Sequence, residues 1–204
     1  MFFAGEKPID IKLHSLVVIG NYFNNDLNDI DSATDYYKKA LNIKHDYFYA
    51  LIGIGSAYGK SKKYDEALDH FTDALALKPK DQFTALWLVI LHELLQHDNQ
   101  YHDSLQNAIE LVDSKLTVYD CLAEMHYKLG MYTEAERYCK EALDEQPAEV
   151  SFYYNLALIH AARQEFSSAL EVSHKALDLT KGKKWTKKIK KNIKGFKEAA
   201  SASH

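Results

Sequence analysis

The sequence is short of several residue types, and each shortage excludes a class of structure. Its 204 residues include only eight glycines and three prolines, which is too few for a β-rich or linker-rich chain. The two cysteines, Cys121 and Cys139, match neither a disulfide framework nor a zinc site. No apolar run approaches the roughly 20 residues that a membrane-spanning helix needs. The overall composition, 47% hydrophobic and 26% charged, is typical of an ordinary soluble protein.

The first residues, MFFAGEKPIDIK, have no basic region and no small-residue cleavage site after an apolar segment. We therefore expect no signal peptide. Together with the scarcity of cysteine, this favours a cytoplasmic, reducing environment.

Charge is unevenly distributed along the chain. The formal net charge is −4. Residues 181–204 carry nine lysines against one acid, Glu198, which is +8, so residues 1–180 carry −12. An acidic body followed by a basic tail suggests that the tail has a role of its own.

Certain residues recur along the sequence with a period of about 34 residues, which lies in the range of known repeat architectures. Alanines are separated by one or two of these periods, two prolines by two periods, and three histidines by one period each. The positions are Ala33, Ala67, Ala135 and Ala169; Pro79 and Pro147; and His92, His126 and His160. A random helical sequence does not keep such a register from Ala33 to Ala169.

Within one period the apolar residues follow helical spacing. Residues 51–58 read L-x-x-I-G-x-x-Y, and Tyr64, Ala67, Phe71, Ala74 and Pro79 follow after a short polar break. Apolar residues spaced by three and four predict two amphipathic helices in each period. The pattern resembles the tetratricopeptide repeat, which reads W-x2-L-G-x2-Y, then A-x3-F, then P.

The resemblance implies an all-α fold and a protein-binding role. The family forms a right-handed superhelix of stacked antiparallel helix pairs, so we expect about ten helices and an eleventh at the C-terminus. Residues 1–183 would form one array, and residues 184–204 a basic amphipathic capping helix. The repeats are expected near residues 13–47, 48–81, 82–115, 116–149 and 150–183.

Two repeats depart from the pattern. The first needs one extra residue in its turn, within NNDLND. The third places QHDNQ where the turn should be, which predicts a turn about three residues longer and a following link, LVDSKL, about three shorter. Ser104 would then take the alanine position and Ala108 the phenylalanine position of that repeat.

In this family the first helix of each pair lines the concave groove that binds partners. By register, ten residues of these helices are candidates for partner binding. They are Asn21, Tyr49, Ser56, Phe83, Trp87, Asp120, Glu124, Tyr127, Tyr154 and Asn155. Leu86 and Ile90 face the same way, but packing against the next repeat is an equal alternative for both.

One well-known use of the family is not expected here. Some members hold the C-terminal carboxylate of a chaperone with a clamp of Lys, Asn, Asn, Lys and Arg. The matching positions in the second to fourth repeats hold Ile52, Ser56, Trp87, Thr117 and Cys121, so no clamp forms. A partner with apolar and basic residues fits the groove better.

The sequence contains no pattern that indicates catalysis, a cofactor or a metal. His92, His126 and His160 occupy equivalent positions of different helix pairs, too far apart for one ion. We expect them to hydrogen-bond across their helix pairs. Cys139 takes a position that the family fills with a bulky apolar residue, so we expect it to be buried.

The sequence therefore predicts a non-catalytic scaffold or adaptor that binds a peptide or helical segment in the groove. An alternative is binding of nucleic acid or an anionic membrane through the basic helix, whose lysines include Lys184, Lys187, Lys188, Lys191 and Lys194. A third possibility is self-association through an open end of the array. In the tail, Trp185, Ile189, Ile193 and Phe196 form one apolar stripe, which favours a cap with a basic outer face.

Overall fold

The computed structural model describes residues 8–202, which form eleven α-helices and no β-strand. The predicted all-α fold, with ten helices followed by an eleventh, is confirmed. In chain order the helices are α1 (Pro8–Asn25), α2 (Ile30–Ile43), α3 (Phe48–Lys60), α4 (Tyr64–Leu77), α5 (Gln82–Leu94), α6 (Asp98–Val112), α7 (Lys115–Lys128), α8 (Tyr132–Glu145), α9 (Val150–Ala162), α10 (Phe166–Leu179) and α11 (Lys183–Ala202).

Residues 1–7 and 203–204 lie outside the described residues. The expectation about a signal peptide rests largely on the first of these segments. The outer limits of the two predicted regions, at residues 1 and 204, fall there as well.

Backbone contacts divide the chain into two compact units, one ending at Asp113 and the other beginning at Ser114. In the first unit α1 packs on α2, α3 on α4, and α5 on α6; in the second, α7 packs on α8 and α9 on α10. Turns of three or four residues join the two helices of each pair, so the partners run antiparallel. Neighbouring pairs also pack on each other within a unit, which is the arrangement of a repeat protein. The single continuous array over residues 1–183 stays a prediction.

The turn inside each helix pair contains one residue in the left-handed backbone region, and these residues recur once in every repeat period. They are Asn28, Lys62, Gln96, Gly130 and Gln164, with φ between 51° and 75°. In the second repeat the next N–H, that of Lys63, donates to the carbonyl oxygen of Tyr58 five residues earlier. In the first repeat the equivalent bond spans six residues, from Asp29 to Phe23 at 2.9 Å. The predicted extra residue in the first turn is therefore confirmed.

The prediction of a longer turn in the third repeat is wrong. Helix α6 begins at Asp98, one repeat period after the start of α4 at Tyr64, and three residues separate it from α5. The N–H of His97 donates to the carbonyl oxygen of His92 at 2.8 Å, the same five-residue bond as in the second repeat. The left-handed residue Gln96 closes α5 without the glycine that would have marked this turn in the sequence.

The irregularity of the third repeat lies after α6. Only Asp113 and Ser114 separate α6 from α7, whereas four residues separate α4 from α5. The link is therefore shorter, as predicted, although by two residues rather than three. Ala108 lies one repeat period after Ala74 and is buried like it, so it does not take the phenylalanine position. Ser104, expected at the alanine position, is only half-buried.

Helix α11 packs on α10 and, less extensively, on α9. Ile189 and Ile193 are buried, while Trp185 and Phe196 are half-buried. The four apolar residues therefore form the contact face that their spacing predicts. Cys139 on α8 is fully buried, as expected from its position in the repeat.

Candidate functional site

The candidate residues of the first unit differ in how far they are exposed. Tyr49 on α3 and Phe83 on α5 are about half exposed, at 49% and 45%. Asn21 on α1 is exposed and accepts a hydrogen bond from the hydroxyl of Tyr37 at 2.7 Å. Ser56 is half-buried, and its hydroxyl donates to the carbonyl oxygen of Ile52 in its own helix. Asn21, Tyr49 and Phe83 are therefore the more accessible members of this set, and Ser56 is less so.

Trp87 is not available to a partner, so its assignment to the groove is wrong. It is only 7% exposed, and its ring stacks on Phe71 with the centroids 5.1 Å apart. A Cβ atom at Gly59 would lie 2.8 Å from the indole ring, so the glycine makes room for the ring against α3. Leu86 and Ile90 are buried too, so the alternative that they pack inside the protein applies to both.

In the second unit the predicted residues converge. Helices α7, α9 and α11 surround a cavity of about 350 Å³. All five candidates of this unit line it: Asp120, Glu124, Tyr127, Tyr154 and Asn155. Because α7 and α9 present the same register positions from successive repeats, their side chains meet on one side of the unit. This cavity is the candidate functional site.

Helix α11 supplies part of the cavity wall. The ring of Trp185 lies 5.3 Å from that of Tyr154 in an edge-to-face arrangement. The ammonium group of Lys188 lies 4.5 Å from the Tyr154 ring centroid and 5.2 Å from that of Trp185. The sequence placed Lys188 among outward-facing tail lysines and Trp185 in the contact stripe. The sequence did not predict that both residues lie beside the cavity. The aromatic side chain of Trp185, at the start of the apolar stripe, is the feature that could have indicated it.

The carboxylate of Asp120 is the main polar feature of the cavity. It accepts a hydrogen bond of 2.8 Å from the side-chain amide of Asn155. Burial and the neighbouring Glu124 raise the pKa of Asp120 above its ordinary value, against the effects of Asn155 and Lys188. Glu124 is exposed and pairs with Lys128 one turn along α7 at 2.7 Å. An ion pair this exposed stabilises the fold by only about 0–1 kcal/mol. Glu124 can therefore leave Lys128 and contact a ligand at little cost.

The other tail lysines of the prediction stand away from this cavity. Lys184, Lys187, Lys191 and Lys194 are all exposed, and none of them lines it. Lys194 lies 3.8 Å from Glu198 on the next turn. The basic outer face of α11 is therefore present, and Lys188 is the member of the set that points towards α9.

The three histidines of the repeat form separate contacts. The Nδ1 atom of His92 lies 2.8 Å from the hydroxyl oxygen of Ser104 on the paired helix, as predicted. That of His160 lies 2.6 Å from Glu165, beside the start of α10. His126 is buried, with its ring 5.3 Å from that of Tyr138 on α8.

Residues 8–202 contain no group of three or more His, Cys, Asp or Glu residues placed to hold a metal ion. Burial raises the pKa of both thiols, that of Cys139 to about 12. Neither cysteine is therefore activated as a nucleophile. None of the helices within the described range has the length and hydropathy to cross a membrane. The cavity offers a ligand aromatic surface, the half-buried carboxylate of Asp120 and the side-chain amide of Asn155.

Two parts of the chain, residues 48–81 and residues 117–149, match the family model of the tetratricopeptide repeat. RNA polymerase-associated protein CTR9 of Caenorhabditis elegans is 26% identical over 163 residues, which are 72% of this chain and 14% of that protein. The chain spans between 14% and 30% of the length of the first three curated relatives that it matches.

Solved structures share the fold at low sequence identity. The crystal structure of MamA has a TM-score of 0.55 at 19% identity, covering 83% of this chain and 92% of MamA. YrrB, described as a protein of the same repeat type with an unusual peptide-binding site, has a TM-score of 0.52 at 21% identity, covering 91% of this chain and 98% of YrrB. At these low identities, the similarity to the solved structures shows the fold alone.

Proposed function

Because the chain is a member of the tetratricopeptide repeat family, we propose that it is a non-catalytic scaffold that binds a segment of a partner protein in the cavity between α7, α9 and α11. Proteins of this family generally act as protein–protein interaction scaffolds, and YrrB has a peptide-binding site. The observation that carries the proposal is the convergence of five predicted surface residues on one cavity.

The cavity suits one or two anchoring side chains of a peptide or helical segment. Its volume of about 350 Å³ is at the small end of the range of ligand pockets. Tyr127, Tyr154 and Trp185 line it, and aromatic residues dominate the binding energy of many interfaces. A single anchored segment would bind with a Kd on the order of micromolar, which is about −8 kcal/mol.

A non-catalytic role agrees with the chemistry of the cavity. Catalysis by a nucleophile or by general acid–base transfer needs groups held in mutual hydrogen-bond reach. The carboxylate of Asp120 is instead bonded to the amide of Asn155, which transfers no proton. The arrangement is suited to positioning a ligand.

Selection of ligands from a random peptide library with the full chain tests this function. We expect peptides that bind the wild-type protein and lose at least about tenfold in affinity when Tyr154→Ala removes an aromatic wall, a loss of about 1.4 kcal/mol. Tyr49→Ala is the matched control, because Tyr49 is an exposed tyrosine of α3 that does not line the cavity. Circular dichroism checks that both variants fold. Selection of no ligand, or equal losses in both variants, would refute the proposal.

A second candidate function is binding of RNA or an anionic membrane by the outer face of α11. The observation that favours it is the exposure of Lys184, Lys187, Lys191 and Lys194 on one helix. Changing all four to glutamine leaves Ile189 and Ile193 in place, so the variant keeps its contact face. Binding to RNA or to vesicles of phosphatidylserine should be lost in the variant and should weaken steeply with salt in the wild type. Equal binding by both proteins would exclude this candidate.

A further inference from the structure

The cavity of the second unit already holds a cationic group of its own chain. The ammonium of Lys188 stands over the Tyr154 ring at 4.5 Å and near the Trp185 ring at 5.2 Å. Both distances lie within the roughly 6 Å range of a cation–π contact. The two rings therefore form a place in which a positive charge is stabilised.

Two negative and two positive side chains line the cavity: Asp120 and Glu124, and Lys128 and Lys188. Because Glu124 pairs with Lys128, the carboxylate of Asp120 is the main negative charge that a cation would meet. Asp120 and Glu124 both line the cavity, and their mutual repulsion contributes to the raised pKa of Asp120. A positive charge beside them relieves that repulsion, and Lys188 already acts on Asp120 in this sense. Two carboxylates and two aromatic rings thus line one small volume together with Lys188 and Lys128.

Lys188 is a weakly held occupant of this place. It is an exposed residue of α11, and an exposed cation–π contact is worth only about 0.5–1 kcal/mol. Its side chain has enough rotatable bonds to turn outward into water without moving α11. An incoming cation that pairs with the carboxylate of Asp120 and lies over the ring of Tyr154 makes the same kinds of contact that Lys188 gives up.

We propose that the cavity binds the ammonium or guanidinium group of a lysine or arginine in the partner's segment, in the place that Lys188 occupies when the site is empty. This inference rests on the proposed function and names the chemistry of the segment. Lys188 then competes with the partner from within the same chain. A partner whose segment is acidic, or apolar throughout, would be disfavoured by Asp120 and Glu124.

Three nine-residue peptides test the charge preference by isothermal titration against the full-length protein. They are alanine–glycine peptides with blocked ends that differ only at the central residue, which is lysine, norleucine or glutamate. Norleucine keeps the length of the lysine side chain and removes its charge. We expect the lysine peptide to bind about tenfold more tightly than the norleucine peptide, and the glutamate peptide to bind most weakly. Equal affinities, or tightest binding of the glutamate peptide, would overturn the inference.

Three variants test the roles of the charged residues. Asp120→Asn keeps an acceptor for the amide of Asn155 and removes the charge, so affinity for the lysine peptide should fall at least about fivefold. Lys188→Met should raise the affinity for the lysine peptide about two- to fivefold, because the peptide no longer has to displace an exposed cation–π contact. Lys190→Met is the matched control, since this exposed lysine of α11 does not line the cavity. Identical effects of Lys188→Met and Lys190→Met would contradict competition by Lys188.

Nuclear magnetic resonance follows Lys188 directly. The protons next to its ammonium group should be shifted upfield by the rings of Tyr154 and Trp185, and should return to ordinary positions as the lysine peptide binds. Unchanged proton positions at saturation would rule out displacement.

The outcome of the library selection separates this inference from the function on which it rests. If selected peptides bind the cavity but contain no required lysine or arginine, the scaffold function stands and the charge preference is wrong. If no peptide binds the cavity, the function itself is wrong.

Discussion

The ring of Tyr37 is held between two glycines in the first unit. A Cβ atom at Gly20 on α1 would lie 2.6 Å from the ring, and one at Gly53 on α3 would lie 2.5 Å from it. Both separations are far below ordinary van der Waals contact, so these glycines let three helices approach through one aromatic ring. The ring is fully buried, and this burial raises the pKa of Tyr37 to about 12.

Replacing Gly53 by alanine should destabilise the protein by about 1–3 kcal/mol, because the added methyl group overlaps the buried ring of Tyr37. Gly195→Ala is the control, since a Cβ atom at Gly195 meets nothing within 4 Å. Gly195 lies inside α11, where alanine should add about 0.5–1 kcal/mol of helix stability. Urea unfolding measures both changes. Tolerance of Gly53→Ala without loss of stability would show that the ring is not confined as described.

The two thiols should differ sharply from free cysteine in reactivity. An ordinary thiol with a pKa of about 8.5 is roughly one-quarter thiolate at about pH 8. Burial raises the pKa of Cys139 to about 12, so its thiolate is scarce at that pH and its sulfur is inaccessible. In a Cys121→Ser variant, a chromogenic disulfide reagent should label Cys139 at least about a hundredfold more slowly in the folded protein than in urea. Equal rates in the two conditions would contradict the burial of Cys139.

At the scale of the element, the turns inside the helix pairs set the repeat. Four of the five left-handed residues are not glycine, although glycine adopts this conformation at least cost. The chain therefore accepts a small strain at four of the five turns, and the hydrogen bond across the turn holds the conformation. Gly130, with φ of 75°, is the member of the set that avoids the strain.

Lys62→Gly should stabilise the protein by about 0.5–1 kcal/mol, because glycine removes the strain of the left-handed conformation. Lys63→Gly is the matched control in the same turn. Lys63 has φ of −90°, which lysine adopts freely, so glycine there should only add disorder to the unfolded chain and reduce stability. Thermal unfolding compares the two variants with the wild type. A gain from both substitutions, or from neither, would be inconsistent with strain at Lys62.

The same turns explain what could and could not be predicted at this scale. The regular recurrence of alanines predicted the helix pairs, because small residues are needed where the helices pack closely. The sequence does not show the frame of the third repeat, because Tyr101 and Leu105 replace the small and aromatic residues that mark the frame in the second repeat. Its register is held by the backbone bond from His97 to His92, and side-chain patterns do not report such bonds.

The sequence likewise predicts part of the candidate site and misses the rest. Register alone placed Asp120, Tyr127 and Tyr154 on the surfaces that line the cavity, because equivalent helices present equivalent positions. Register did not distinguish Trp87 from them, since its burial depends on contacts with Phe71 and Gly59 on other helices. The contribution of Lys188 depends on how α11 packs on the repeats, which its own spacing does not determine.

At the scale of the whole molecule, the two units differ in how they present aromatic residues to a partner. The first unit presents Tyr49 and Phe83 as separate exposed rings. The second places Tyr127, Tyr154 and Trp185 around a cavity that includes the half-buried carboxylate of Asp120. These differences support the proposal that a partner binds the second unit.

The most direct test of this proposal is an amide chemical-shift map of the isotope-labelled full chain, recorded with a peptide selected from the library. The largest shifts should fall on the indole N–H of Trp185 and on residues of α7 and α9 around Tyr127 and Tyr154. Shifts should be small on α8, α10 and the first unit. If the largest shifts instead cluster within residues 8–113, or on the outer helices α8 and α10, the cavity is not the binding site and the central claim is wrong.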